Sequence, residues 1–486
     1  MIAASGVVML IVVAALLVTT GLPAWVVLIG VASASALAGL AVDAFTLPIL
    51  TAIPARLVGL MENDLLQALP LYVLMGALLH HLPFAHQLFR VASYTLDRSG
   101  AGAVLAGLGL GALLAPMNGS VGASVAMLGR AVMPGLREAD VPADKAAALI
   151  SVASTLGVVV PPSLVLILLA DAMMRAHTEA VNATGIAARI VNTQDVFVGA
   201  LLPALVLLML YAVVAWWCNR RKAGARIRPP RPPAREWIAA IATLLFIGAL
   251  LAGVTLGYLY AVEAAATGGV VLTIAGLAMR SLTPEVLRAT LRDTLALTGA
   301  LFALLVGATT FTLVVRAFGT DRWLADVLAA LPGGAPMTLA VALAGLAVCA
   351  LVLDAFELIF VVVPILMPPV LTRIDDVTWV AVLALLILEL GFLMPPFGYA
   401  VLMIRKQLRE PVAPARLARA LIPYLIVQAA VLTLVLVEPT LVWHRNPSRL
   451  ELATPPADGD EEARRMLERQ LDRNSESNDD SDSPAR

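Results

Sequence analysis

The sequence predicts an all-α polytopic membrane protein built around one device written twice. Three observations lead there. Of the 486 residues, 60% are hydrophobic and only 14% are charged, more apolar surface than a soluble core uses. A set of spans of about 20 residues each does need that much. The apolar runs are continuous rather than alternating, which argues against a transmembrane β-barrel. Finally, Leu156-Gly157-x-x-x-Pro161-Pro162 recurs as Leu390-Gly391-x-x-x-Pro395-Pro396, at one constant offset that also relates Met133-Pro134 to Met367-Pro368. A double proline removes two backbone donors and forbids a regular helix. In a bilayer such a break persists only where the freed carbonyls face protein, water or an ion. Broken helices in corresponding places of two halves point to a transport site.

Taken in order, residues 1–100 read as scaffold helices. Ile2–Thr19 and Ala24–Leu40 are joined at Gly21-Leu22-Pro23. Val7–Thr19 resembles a signal-peptide core but lacks a basic leader and runs into a second apolar stretch, so a retained helix is expected. Ala52–Leu66, with Arg56 and Glu62, reads as interfacial and leads to a helix over Leu69–Leu79. His80, His81 and His86 follow without a nearby Cys or carboxylate cluster, and solvent contact is expected over a metal site.

Residues 101–172 hold the first half of the device. In Ala101–Pro134 each arm is too short to span comfortably, and the middle, Asn118-Gly119-Ser120-Val121-Gly122-Ala123-Ser124, is small and polar. Such a segment suits a re-entrant hairpin with its tip at membrane depth; a close helix–helix contact through small residues fits it equally. The first broken helix, Ala146–Ala170, follows. Residues 173–218 read as a polar loop, Met173–Gln194, and a span, Val196–Trp217. The linker 219–236 is strongly basic, with Arg220, Arg221, Lys222, Arg226, Arg228, Arg231 and Arg235 before the first acid at Glu236, which places it in the cytoplasm.

Residues 237–331 supply further scaffold spans over Ile238–Leu259, Ala261–Leu277 and Leu295–Val315. Residues 332–405 repeat the device, with a hairpin whose tip carries Asp354 and Glu357 and a second broken helix, Val380–Ile404. By the constant offset, Asp354 stands where Ser120 stands, and Glu389 where Thr155 stands. Acids inside an apolar stretch are costly and functional by default. Arg373 is the only basic residue between Arg322 and Arg405, so a cation, a proton or hydrogen bonds must compensate them. For Asp354, capping a half-helix and touching an ion are equally open; for Glu389 a role at the site is favoured. Residues 406–443 hold a last span, and 444–486 are a charged, Ser/Asp-rich tail expected to be disordered.

The net charge of −1 carries no nucleic-acid signal, and no such partner is expected. Cys218 and Cys349 sit in or beside apolar segments, against a disulfide framework. No His-Glu-x-x-His, partnered nucleophile elbow or phosphate-cradling Gly-Lys-Ser/Thr loop is present, so neither enzyme chemistry nor a built-in ATPase is expected.

Through Asn118 to Ser124, Ser154-Thr155-Leu156-Gly157 to Ser163, Leu353-Asp354, and Glu389-Leu390-Gly391 to Gly398, the chain resembles the large membrane subunit (DctM-like) of tripartite ATP-independent periplasmic (TRAP) transporters. The resemblance covers roughly residues 53–441. Glu263 falls in a further family segment, but Tyr260-Ala261-Val262 replaces the usual Thr-Pro-Thr before it. The resemblance implies two inverted repeats, a transport domain moving as an elevator, and uptake of organic acids through the bacterial inner membrane by Na⁺ symport. It also implies a small membrane subunit and a periplasmic substrate-binding protein as partners, besides membrane lipid. By that likeness Asn118, Gly119, Ser120, Thr155 and Gly157 line one Na⁺ site, and Asp354, Glu389 and Gly391 the other. The carboxylate lies between the hairpin tips, near Ser120, Ser124, Pro161, Pro162, Ser163, Pro395, Pro396 and Gly398. The alternatives are a stand-alone carboxylate symporter of the same fold and a membrane scaffold or enzyme.

Overall fold

The computed structural model describes residues 5–62, 64–185, 191–220, 230–408 and 412–443. The body of the chain, Met1–Val442, forms one compact unit. The tail and most of the basic linker lie outside the described residues. The described part is helical, with six helices long and apolar enough to cross a membrane, or up to eight if each bent pair is one span. Large apolar side chains such as Trp217, Ile238, Leu245, Leu295 and Ile426 point outward, the surface of a multi-pass membrane protein.

Helices α1 (Ser5–Thr20) and α2 (Ala24–Ala41) meet at Gly21-Leu22-Pro23, as expected. A 3₁₀ turn and α3 (Ile53–Met61) carry the chain to α4 (Asp64–His81) and α5 (Phe84–Leu96), which bend by 61° at their junction. His81 is not simply solvated, because its Nε2 lies 2.8 Å from Asp293. Next come α6 (Gly102–Leu114), a 3₁₀ turn over Ala115–Asn118, and α7 (Val121–Glu138), the two arms of the first hairpin. The broken pair α8 (Ala143–Val159) and α9 (Leu164–Thr184) bends by 41°. Pro161 and Pro162 end α8, and the Ser163 hydroxyl starts α9 by accepting from the Leu166 N–H at 3.1 Å.

The polar loop expected from Met173 is corrected here, since α9 continues to Thr184. Asp171, Arg175 and Glu179 share one face of the helix, where Asp171 and Arg175 pair at i,i+4 spacing, 3.0 Å apart, while His177 is buried on the other side. Then follow α10 (Thr193–Asn219), α11 (Ala234–Thr255) and α12 (Ala261–Ala278). Glu263 is exposed and accepts the Tyr260 N–H at 2.9 Å, the work of a helix cap. Helix α13 (Pro284–Ala317) starts well before the expected span, at a Thr283 cap with Pro284 in the first turn.

A short α14 (Thr320–Ala329) precedes the second hairpin: α15 (Gly334–Ala350), α16 (Ala355–Glu357), a π turn over Leu358–Val362, and α17 (Val363–Leu371). The second broken pair is α18 (Val377–Leu393) and α19 (Tyr399–Gln407), and α20 (Pro414–Val437) is the last span. The Pro161–Pro162 and Pro395–Pro396 bonds are both cis.

Helices α8 and α18 form the spine. Every residue from Ala146 to Val159 is buried, as is almost all of α18, in keeping with sequences that are apolar all round. Helix α18 packs against α8, α15 and α20, and α13 runs along α2 and α4. The ends of α10 order the rest. At its C-terminal end, Lys145 Nζ donates to the Cys218 carbonyl at 2.7 Å, and Trp216 Nε1 to the Ser99 carbonyl at 3.0 Å. Near its N-terminal end, a Cβ on Gly199 would stand 2.7 Å from Thr378 Cγ2, while Trp379 Nε1 donates to the Val435 carbonyl at 2.8 Å. Helix α8 therefore starts beside one end of α10, and α18 starts beside the other. Arg220, stacked on Trp216 and Trp217 at 5.0 and 4.5 Å, anchors the first of these ends beside the basic linker.

Candidate functional site

At the first junction the hairpin tip meets the break between α8 and α9. Gly119 takes a φ of 73°, a left-handed conformation that turns the tip and favours glycine. The Ser120 hydroxyl then caps α7 by accepting from the Ala123 N–H at 3.1 Å. Buried Asn118 donates to the Ser124 hydroxyl at 3.4 Å, and that hydroxyl reaches the Ser120 and Ala115 carbonyls at 3.0 and 3.3 Å. Gly157 lets α8 touch the tip, for a Cβ there would stand 2.6 Å from the Ala115 carbonyl carbon. Between them lies a cavity of about 10 Å³, bordered by Gly119, Ser120, Ser124, Ser154 and Gly157. That is room for one water-sized occupant, in a cavity lined by three serines and also by the apolar Pro116, Val121, Leu164 and Val165. Ser154 was not expected here, yet it sits three residues before Gly157 and so on the same helix face.

The second junction repeats the arrangement with different chemistry. A Cβ on Gly391 would stand 2.5 Å from Ala350 Cβ, so α18 touches its hairpin as α8 touches its own. The Asp354 N–H donates to Glu357 Oε2 at 3.1 Å, one half of a capping box at the start of α16 in which Asp354 is the N-cap. Asp354 keeps its Oδ1 buried with no hydrogen-bond partner. Such an atom is costly unless something fills the vacancy in its bonding.

The breaks differ in exposure. Pro161, Pro162 and Ser163 are buried, and Pro162 borders a small apolar cavity together with Tyr72, Met75 and Met117. Pro396 and Phe397 are exposed, while Gly398 is buried and starts α19. The junctions also cross over. A Cβ on Gly122 would stand 3.0 Å from the Tyr399 hydroxyl, so α19 of the second half leans on the first hairpin. Reciprocally, α9 of the first half packs on α17 of the second hairpin.

Thr155 and Glu389 are grouped otherwise than by hairpin. They are the counterparts separated by 234 positions, and they face each other, Thr155 Oγ1 lying 3.3 Å from Glu389 Oε1. Each sits two residues before its glycine, about 200° round the helix from the hairpin-facing side. Glu389 Oε2 accepts from Gln428 Nε2 at 3.2 Å. Gln428 also donates to the Leu386 carbonyl at 2.9 Å and accepts from the Tyr211 hydroxyl at 2.8 Å. Thr155, Glu389, Gln428 and Tyr211 are all 0% exposed. The chain thus builds two hairpin junctions and, where α8 crosses α18, one fully buried polar chain.

A family model described as "Tripartite ATP-independent periplasmic transporter, DctM component" matches residues 10–441. The sialic acid TRAP transporter permease protein SiaT of Haemophilus influenzae is 24% identical over 405 residues, covering 81% of this chain. This chain spans only 62% of the length of that relative. The C4-dicarboxylate TRAP transporter large permease protein DctM of Pseudomonas aeruginosa is 24% identical over 379 residues, covering 77% of this chain and 84% of that one. Among solved structures, the YdaH transporter of Alcanivorax borkumensis aligns with a TM-score of 0.56 and 17% identity, over 81% of this chain and 88% of that chain. That likeness concerns the fold alone. With its repeated junctions and a family match over nearly its whole length, this chain belongs to the DctM components of tripartite ATP-independent periplasmic transporters, and it is a permease component rather than an enzyme.

Proposed function

We propose that the chain is the large membrane subunit of an importer that carries an organic acid across the bacterial inner membrane in symport with Na⁺. A periplasmic binding protein delivers the acid, and a small membrane subunit packs beside the spans. The observation that carries this reading is the crossing of two hairpin-plus-broken-helix units that start at opposite ends of α10. Two such units are inverted repeats. Contact between the counterparts Thr155 and Glu389 supports this, because counterparts can touch only where the pseudo-twofold axis passes between them. Discontinuous helices near the midplane, with half-helix ends aimed at one place, are how transporters hold ions and anionic substrates.

Within this reading the units α6–α9 and α15–α19 form the transport domain and move as an elevator against the helices around α13. At the first junction Na⁺ takes oxygens of Asn118, Gly119, Ser120 and Ser154, beside Gly157. At the second it takes the free Asp354 Oδ1 and carbonyls beside Gly391. A hard cation prefers such oxygen sets. Thr155 and Glu389 serve these sites from behind, by fixing the crossing on which both rest. The carboxylate lies between the tips, on the side of Ser120, Ser124 and Gly398, with half-buried Pro395 and exposed Pro396 as its open wall.

Uptake into vesicles reconstituted with the chain, its small subunit and its binding protein tests this reading. An inward Na⁺ gradient should drive accumulation of the acid that the binding protein holds, and collapsing the gradient should stop it. Accumulation without Na⁺ would refute the coupling. Uptake that needs neither partner would favour a stand-alone symporter.

A further inference from the structure

Away from both junctions, a cleft of about 480 Å³ opens between α3, α9, α13 and the start of α17. Its size suits a small organic molecule. Three guanidinium groups border it: Arg56 on α3, Arg175 on α9 and Arg316 on α13. Two acids answer them. Asp171 pairs with Arg175 at 3.0 Å, and Glu179 pairs with Arg316 at 2.8 Å. One positive charge is therefore left over, and Arg56 carries it. Partial desolvation, together with the nearby Arg316 charge, pulls the otherwise exposed Arg56 below the ordinary arginine pKa, against the opposing pull of Glu179. Arg316 also keeps its Nε buried with no hydrogen-bond partner, although its Nη2 donates to the Pro364 carbonyl at 3.1 Å. Phe360 supplies an apolar wall.

The cleft faces the periplasm when the basic linker is cytoplasmic. Helix α11 leaves that side, α12 returns to it, and α13 crosses again to end at Arg316. We propose that the cleft is a second anion site, where one carboxylate of a small organic acid pairs with Arg56 and Arg316 before the solute reaches the hairpin junctions. The anion makes three carboxylates for three guanidiniums, and the planar forks of arginine bind a carboxylate in two-point fashion. Because Arg316 already ties α13 to α9 and α17, an anion held by Arg56 and Arg316 sits beside a contact between elements that the elevator would move apart. The order of events rests on the transport reading; binding of an anion does not.

The test uses the full chain in nanodiscs, with Cys218 and Cys349 replaced by Ser and Thr309→Cys placed in the cleft. Labelling rates are compared for an anionic and a cationic methanethiosulfonate. The expected result is an anionic preference of about tenfold, the low end of charge focusing, as suits a cleft with one net positive charge. Arg56→Gln should bring the two rates near parity, Arg56→Lys should restore the preference, and succinate should slow the anionic reagent only when residue 56 is charged. Equal rates, a preference that survives R56Q, or no protection by succinate would overturn the proposal. Protection that appears only with anionic lipid in the disc would assign the cleft to a lipid phosphate instead. A labelling preference that persists while vesicles fail to accumulate any acid would sink the transport reading and leave this site standing.

Discussion

Replacing Gln428 with Leu removes the middle of the buried chain that joins Tyr211 to Glu389. The new side chain is close in size, so packing around α20 changes little, but two side chains lose their partners, and the Leu386 carbonyl loses its side-chain donor. Glu389 Oε2 loses its donor at 3.2 Å, and the Tyr211 hydroxyl loses its acceptor at 2.8 Å. Both residues are 0% exposed, so water cannot replace what is lost. At ~1–3 kcal/mol for each buried group left unsatisfied, the expected cost is about 2–6 kcal/mol. Glu389→Leu alone should also destabilise, because it leaves Gln428 Nε2 and Thr155 Oγ1 facing an alkyl group. The double variant orphans fewer groups than the two single changes added together. The assay is unfolding of the chain in nanodiscs, followed for the single variants, the double variant and the parent. The double variant should be less destabilised than the sum by ~1–3 kcal/mol, the coupling expected of residues in one network. Strict additivity, or a Gln428→Leu chain as stable as the parent, would refute the network.

Other expected outcomes follow from the two junctions. Gly391→Ala brings a Cβ within 2.5 Å of Ala350 Cβ, so it should cost ~1–3 kcal/mol by overpacking and be relieved by Ala350→Gly, measured as Tm of the single and paired variants. Gly157→Ala meets backbone of Ala115 at 2.6 Å instead, so Ala115→Gly should not rescue it to a similar degree. Gly119→Ala forces a side chain into the left-handed region at φ 73° and should lower stability by about 1–2 kcal/mol. Asp354→Asn should keep the fold and raise the Na⁺ concentration needed for half-maximal uptake by roughly tenfold, about 1.4 kcal/mol of lost ion binding. An unchanged Na⁺ dependence would remove Asp354 from the ion site.

The parts of the fold written in local sequence were legible. The double prolines, the Gly-rich tip and the constant offset mark both breaks in the sequence itself, because each is a backbone constraint with a short-range signature. Local sequence ends α9 early, because Arg175 and Glu179 read as loop residues, whereas they lie on one face of a continuing helix. The same bias hid the beginning of α13, where Thr283 and Pro284 signal a start. The family likeness assigns Glu389 and Gly391 to one ion site. Two residues of separation put them on opposite sides of α18, a step the helical period alone would have supplied. Gln428 and Tyr211 came from distant spans with no motif around them, and their role exists only once α10 and α20 pack on α18. The Arg56 cleft is of the same kind, assembled from four separate segments.

Opposite insertion of the two units is the claim on which the account stands, and sidedness of labelling in intact cells tests it most directly. Arg137→Cys, exposed near the end of α7, and Asp375→Cys, exposed before α18, are introduced singly into the chain lacking Cys218 and Cys349. A membrane-impermeant thiol reagent applied from outside should label position 375 in spheroplasts and position 137 only after the membrane is opened. Labelling of both positions from the same side would contradict the inverted arrangement, and with it the transport site built from it.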